Sequence, residues 1–306
     1  MQAGIRTIRH FGVTMSDLAE ARDFIDAFGL DPTERDGVLI ARCEGLDADQ
    51  MQFLEGNGRA IHHITFGTDQ GALDELARRA EAAGAVLVDG DGPGLWMRDP
   101  DGTLVNVIDE PEATPRAFVE WPSNQCGRAE RIDVAMWENL PTVIKPRRLM
   151  HGLSFVSDLD ASERFYTEAL GMALADRAPG KATFLHGGSG DHHVFGLVAS
   201  DRPGMHHIAF EVDHVDACVI GGELMARKGY TEQWGLGRHN LGSNYFNYVR
   251  APHGLWFEYS CDIDQITQAW VGKDQMAKPW AWGPAVPADF TDNTTEGTTA
   301  NPVRAE

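Results

Sequence analysis

Between residues 151 and 156 apolar side chains alternate with small or polar ones, the period of a half-buried β-strand. A polar break follows, where Ser157 or Asp158 can cap a helix. Phe165, Ala169 and Leu170 then fall on one helical stripe, and Gly171 is placed to end it. Short apolar runs at 182–185 and 193–199 read as strands. The pattern restarts at His207, with a helix near 215–228 and strands near 245–249 and 255–259. Each cycle is a β-α-β-β-β module.

The cycle recurs in the first half of the chain. His10, Ser16, Asp17, Leu18 and Phe24 match His151, Ser157, Asp158, Leu159 and Phe165 at a constant offset. Ile61-His62-His63-Ile64 matches Met205-His206-His207-Ile208, and Asp99-Pro100-Asp101-Gly102 matches Ala251-Pro252-His253-Gly254. Such self-similarity marks duplicated structural units. The expected fold is α+β: four β-α-β-β-β modules, beginning near His10, His63, His151 and His207, paired into two half-barrel domains. The expected boundaries are 1–135, 145–265 and a tail at 266–306. Residues 110–148 are punctuated by proline and read as a connector. In the tail, Trp270, Trp280 and Trp282 are expected to pack on the body. Residues 289–306, rich in Thr, Asn and Asp, are expected to be mobile.

Three residues of the second half sit at matching strand positions and carry metal-binding groups. His151 and His207 open equivalent strands, and Glu258 lies near the end of the last one. A carboxylate in an otherwise apolar strand is costly to bury unless a cation compensates it. Two imidazoles and one carboxylate leave one face of an ion open, the arrangement in which a ferrous centre takes substrate and O2 together. Taken singly, each residue has a plainer use, as a hydrogen-bonded core histidine or an ion-pair partner of Arg238 or Arg250. The first half supplies a control. His10 and His63 are kept, but the position matching Glu258 is Asn106, an uncharged and weak ligand, so this site is expected to hold no metal.

Composition narrows the partners. A formal charge of −20 repels nucleic acid and anionic lipid, so neither is an expected partner. No apolar run is long enough to span a bilayer, and no apolar signal core opens the chain. Cys43, Cys126, Cys218 and Cys261 show no paired spacing, which fits a reduced, cytoplasmic protein.

With these residues in place, the chain resembles the vicinal oxygen chelate (glyoxalase-like) superfamily. More narrowly it resembles the type I extradiol ring-cleavage dioxygenases, the catechol 2,3-dioxygenase and biphenyl-2,3-diol dioxygenase group. The resemblance rests on Gly237-x-His239, Tyr248, Ala251-Pro252-x-Gly254 and Glu258, and as architecture it covers residues 5–265. Asn247 departs from the family's apolar residue before the tyrosine, but neighbouring strand residues face opposite ways. The resemblance implies cleavage of a catecholic ring by O2 in aromatic catabolism, with Fe(II), or less commonly Mn(II), on His151, His207 and Glu258. It makes His193 the acid–base residue, with the adjacent His192 as the alternative, and brings His239 and Tyr248 to the catechol oxygens. Trp234, Leu153, Phe184 and Trp256 are expected as apolar walls, and Arg238 or Arg250 as a contact for an anionic substituent. A homo-oligomer is implied as well. Other metalloenzymes of the superfamily (isomerases, lyases, transferases) would have no need of His239 with Tyr248, and its non-enzymatic binding proteins usually lack a complete metal trio.

Overall fold

A computed structural model describes residues 4–56, 58–109, 113–275, 278 and 280–295. The first half contains β1 (Ile5–Met15), α1 (Leu18–Phe28), β2 (Asp31–Arg35), β3 (Val38–Arg42), β4 (Met51–Glu55), β5 (Ala60–Thr68), α2 (Leu73–Ala82), β6 (Val86–Leu87), β7 (Leu95–Arg98) and β8 (Leu104–Ile108). These strands form one sheet in the order β2-β3-β4-β1-β5-β8-β7-β6. The segment to residue 147 carries only the short pair β9 (Asn124–Gln125) and β10 (Arg128–Ala129) and one 3₁₀ turn.

The second half repeats the plan with β11 (Arg148–Val156), α3 (Leu159–Arg164), β12 (Ala173–Ala178), β13 (Ala182–His186), β14 (Phe195–Ala199), β15 (Gly204–Glu211), α4 (Val215–Arg227), β16 (Gln233–His239), β17 (Tyr245–Arg250) and β18 (Trp256–Cys261). Two tail strands, β19 (Lys273–Asp274) and β20 (Trp280–Trp282), complete a ten-stranded sheet, β19-β12-β13-β14-β11-β15-β18-β17-β16-β20. In both sheets the leading strands of the two modules pair antiparallel at the centre, and each lies parallel to the closing strand of its own module. This is the α+β vicinal oxygen chelate fold.

The local sequence explains the helix ends. Asp17 accepts hydrogen bonds from the amides of Ala19 and Glu20, and Asp158 from that of Ala161. Gly171, at φ 71°, ends the second of these segments as expected. The predicted stripe through Phe165 is shifted, however. After α3 the backbone widens into a π-turn over Phe165–Ala169, which rotates Tyr166, rather than Phe165, fully into the core beside Ala169 and Leu170.

The two halves share one core. Phe28 of α1 stacks on Tyr259 of β18 with ring centroids 3.9 Å apart, and the Tyr259 hydroxyl donates to the Phe28 carbonyl. In return, Tyr166 packs between Phe66 and Phe195. Such aromatic pairs add about 0.5–1.5 kcal/mol each beyond their buried area.

The described part of the tail packs on the second sheet. Its strands cover the two edges of the ten-stranded sheet, which would otherwise present unpaired backbone groups. Residues 289–295 lie against the body of the protein. Asp289 pairs with Arg250, Phe290 is buried, and the buried Thr295 hydroxyl accepts from the Met205 amide. Their polar composition serves hydrogen bonds to the 202–205 turn. The expectation for residues 296–306 lies outside the described residues. Among the described residues, no helix is long and apolar enough to cross a membrane.

Candidate metal centre and substrate cavity

One rung across five strands builds the site. His151 pairs with Ala209, Ala209 with Glu258, Glu258 with Tyr248, and Tyr248 with Trp234. His207 lies two residues before Ala209 and so shares its face. Ala209 is the small member of the row, and the side chains of His151 and Glu258 converge over it.

The ligand atoms of His151, His207 and Glu258 all lie within 4.8 Å of one another. Glu258 Oε2 is 3.4 Å from His151 Nε2 and 3.5 Å from His207 Nε2. All three residues are buried, and both Glu258 Oε2 and His207 Nε2 lack a hydrogen-bond partner. Buried polar atoms facing each other without partners are costly, and a divalent cation between them removes the cost. The donor set therefore fits such an ion. Burial alone would raise the Glu258 carboxyl; the neighbouring His151 imidazole outweighs it and holds the group below its ordinary value. Burial likewise drives His207 well below its usual value, so its imidazole is neutral, the form that binds a metal. Asn244 fixes the other carboxylate oxygen, donating to Glu258 Oε1 at 3.0 Å and to Ser260 Oγ at 2.8 Å.

A cavity of about 530 Å³ opens onto this cluster. Leu153, Phe184, Trp234, His193, His239 and Tyr248 line it. His239 Nε2 and the Tyr248 hydroxyl are 2.9 Å apart. Burial, with the nearby Glu258 charge, pushes the Tyr248 phenol well above its ordinary value. His193 lies at the wall with its ring centroid 4.4 Å from that of His151. His192, the alternative, points away from the cavity toward Asp176. His206 also reaches the cavity, where its Nδ1 lies 2.7 Å from His207 Nδ1.

Arg238 does not join the cavity. It alternates with His239 along β16, so it faces away, pairing with Asp262 at 2.9 Å and lying over the Tyr245 ring. Arg250 is held by Glu232 and Asp289. The cations lining the cavity are Lys181 and Lys278. Sequence reasoning also missed Trp280, Val286 and Phe290, which come from the tail. Phe290 packs against Trp234, Tyr248, Trp256 and His206. The signal for it was an isolated aromatic in a polar stretch. A wider surface cleft around Arg147, Arg148, Glu211 and Asp213 holds ion pairs satisfied among themselves.

Comparison with known proteins agrees with this geometry. The family described as Glyoxalase/Bleomycin resistance protein/Dioxygenase superfamily matches residues 148–259. Metapyrocatechase 2 of Cupriavidus necator is 38% identical over 95% of this chain and 92% of its own length. An iron-dependent extradiol dioxygenase of Rhodococcus jostii is 27% identical over 91% of this chain and 96% of its own. Among solved structures, the Mn(II)-bound glyoxalase from Novosphingobium aromaticivorans superposes with a TM-score of 0.77 at 24% identity, covering 98% of this chain and 97% of that one.

Proposed function

Since this chain belongs to the extradiol dioxygenases of the glyoxalase/bleomycin resistance protein/dioxygenase superfamily, we propose that it opens the ring of a catechol bearing an apolar substituent, with Fe(II) on His151, His207 and Glu258 and Mn(II) as the alternative ion. The observation that carries this reading is the pair of partnerless buried atoms, His207 Nε2, from a residue lining the cavity, and Glu258 Oε2, 3.5 Å from it. The ion, when bound, supplies adjacent open positions for the diol and for O2.

The protein's own side chains handle protons and exclude water. A catechol must lose protons to chelate. His239 and Tyr248, in hydrogen-bond contact with each other, stand where the diol oxygens would arrive, His239 to accept a proton and Tyr248 to share its own. The Tyr248 phenol, raised by burial, stays protonated and donates a hydrogen bond to an anionic diol oxygen. His193, on the opposite side of the cluster beside His151, takes up a proton and returns it on the O2 side. Leu153, Phe184, Trp234, Trp280 and Phe290 make a wall suited to alkyl or aryl substituents.

The test is anaerobic reconstitution with Fe(II) or Mn(II), then oxygen uptake with catechol, an alkylcatechol, an arylcatechol and a carboxylated catechol. A yellow ring-opened product, with kcat/KM highest for the alkyl or aryl member, is expected. No oxygen uptake from a fully metal-loaded protein with any diol would sink the proposal.

A further inference from the structure

Three buried side chains run in a line outward from the cavity wall: His193, His192 and Asp176, each at most 2% exposed. His192 Nδ1 is 3.0 Å from His193 Nδ1, and His192 Nε2 is 3.1 Å from Asp176 Oδ2. The direction of the proton in each contact can be deduced. Asp176 Oδ1 already accepts from the Lys273 backbone amide at 2.7 Å, and Oδ2 from the Gln275 side chain at 3.3 Å. A carboxylate only accepts, so His192 Nε2 carries a proton. Burial holds His192 below its usual basicity against the pull of Asp176, which leaves the ring neutral and its Nδ1 bare. His193 Nδ1 must then donate to it. His193 Nε2, across the ring from that contact, is left as a free lone pair.

We propose that Asp176 and His192 are positioning residues that set the tautomer of His193, so that it enters the reaction as a proton acceptor. The inference rests on the proton-handling role given to His193 above.

The surroundings hold this line rigid. The His192 amide donates to the Asp264 carbonyl at 2.8 Å, and Trp270 stands edge-on to the His192 ring while its indole N–H donates to the Ala175 carbonyl. Tail strand β19 pairs with β12 at Asp176 itself. Gly242, at φ 83°, leaves room for the contact: a Cβ there would lie 3.0–3.3 Å from atoms of His193 and His192. The first half has no such line. Strand pairing sets Asp49 and Ala48 at the places of His193 and His192, and Asp49 is occupied by Arg35 and Arg42.

The experiment is imidazole nitrogen–proton correlation NMR on protein loaded with diamagnetic Zn(II), near neutral pH, with oxygen-uptake kinetics on the Fe(II) enzyme. In the wild type, His193 should carry its proton on Nδ1. In Asp176→Asn the amide oxygen stays on the Lys273 N–H, which cannot reverse, so the amide nitrogen faces His192 Nε2. The line should flip, and His193 should carry its proton on Nε2. Iron content should be unchanged, with kcat falling about 10- to 100-fold and KM moving far less. The wild-type spectrum needs no variant to fold: His193 found protonated on Nε2, or as a cation, overturns the inference. So does a flipped tautomer with unchanged kcat when His193→Phe is slow. If His193→Phe also turns over normally, the fault lies in the role given to His193, and the inference falls with it.

Discussion

The same rung of sheet was built twice, and the two versions differ mainly in charge. In the second half it reads His151, Ala209, Glu258, Tyr248; in the first, His10, Thr65, Asn106, Trp96. Without a carboxylate, the two histidines of the first half close on each other, Nε2 to Nε2 at 2.9 Å. Gly12 permits this, since a Cβ there would lie 2.3 Å from the His63 ring. Burial takes His10 down to about 4, so the pair stays neutral. In the second half Leu153 stands at the place of Gly12 and walls a cavity, and both histidines turn toward Glu258. One acidic side chain thus separates a histidine pair that satisfies itself from one that calls for an ion.

The largest test of this contrast is Glu258→Gln. Loss of an outer hydrogen-bond partner alone typically costs 10- to 100-fold in metal affinity, and loss of the charged ligand should cost at least about that much. Elemental analysis after gel filtration should find little metal; full occupancy would count against the assignment.

His193→Phe is expected to keep the ion but lower kcat by about 10²–10⁴-fold. Loss of metal instead would make His193 a ligand. Phe290→Ala should remove about 3–5 kcal/mol of stability in urea titration and raise KM for an arylcatechol more than for catechol itself. An equal rise for both would take Phe290 out of the substituent's path.

A fourth contrast lies in the turns. Asp99 of the first half corresponds to Ala251 of the second, and burial pushes its carboxyl up to about 7 despite hydrogen bonds from the Thr103 and Asp101 amides and the Tyr166 hydroxyl. A folded value above the unfolded one, about 4, means that its contribution is complete below pH about 4 and is lost as pH rises through about 7. Asp99→Asn should flatten the decline in melting temperature over that window, and an unchanged slope would contradict the shift. The smallest effect is expected from Asn106→Ala. Metal per chain and kcat/KM should stay where they are, and a large fall in either would mean that the first-half cleft takes part in function.

Much of this was legible in the sequence because duplication supplies its own alignment. The recurring His-Ser-Asp-Leu pattern located the modules, and the Asn106–Glu258 correspondence is borne out by strand pairing at the Thr65 and Ala209 positions. Alternation along β16 could have placed Arg238 outside, since His239 was already assigned inward. Phe290, Trp280 and Asp176 were harder. Their places depend on the tail pairing with strands up to a hundred residues away, and such long-range contacts leave no local period. The sequence favoured His193 over His192, but that one faces a cavity and the other an acid is visible only in three dimensions.

Tyr259 follows Glu258 directly and points to the opposite face, where Phe28 covers it. A fragment starting at residue 145 would uncover that flank, with Phe210 and Phe257 beside it. Such a piece would be expected to clump before it could take up a metal ion. On this view the half without an acidic ligand serves as ballast for the strand that carries one.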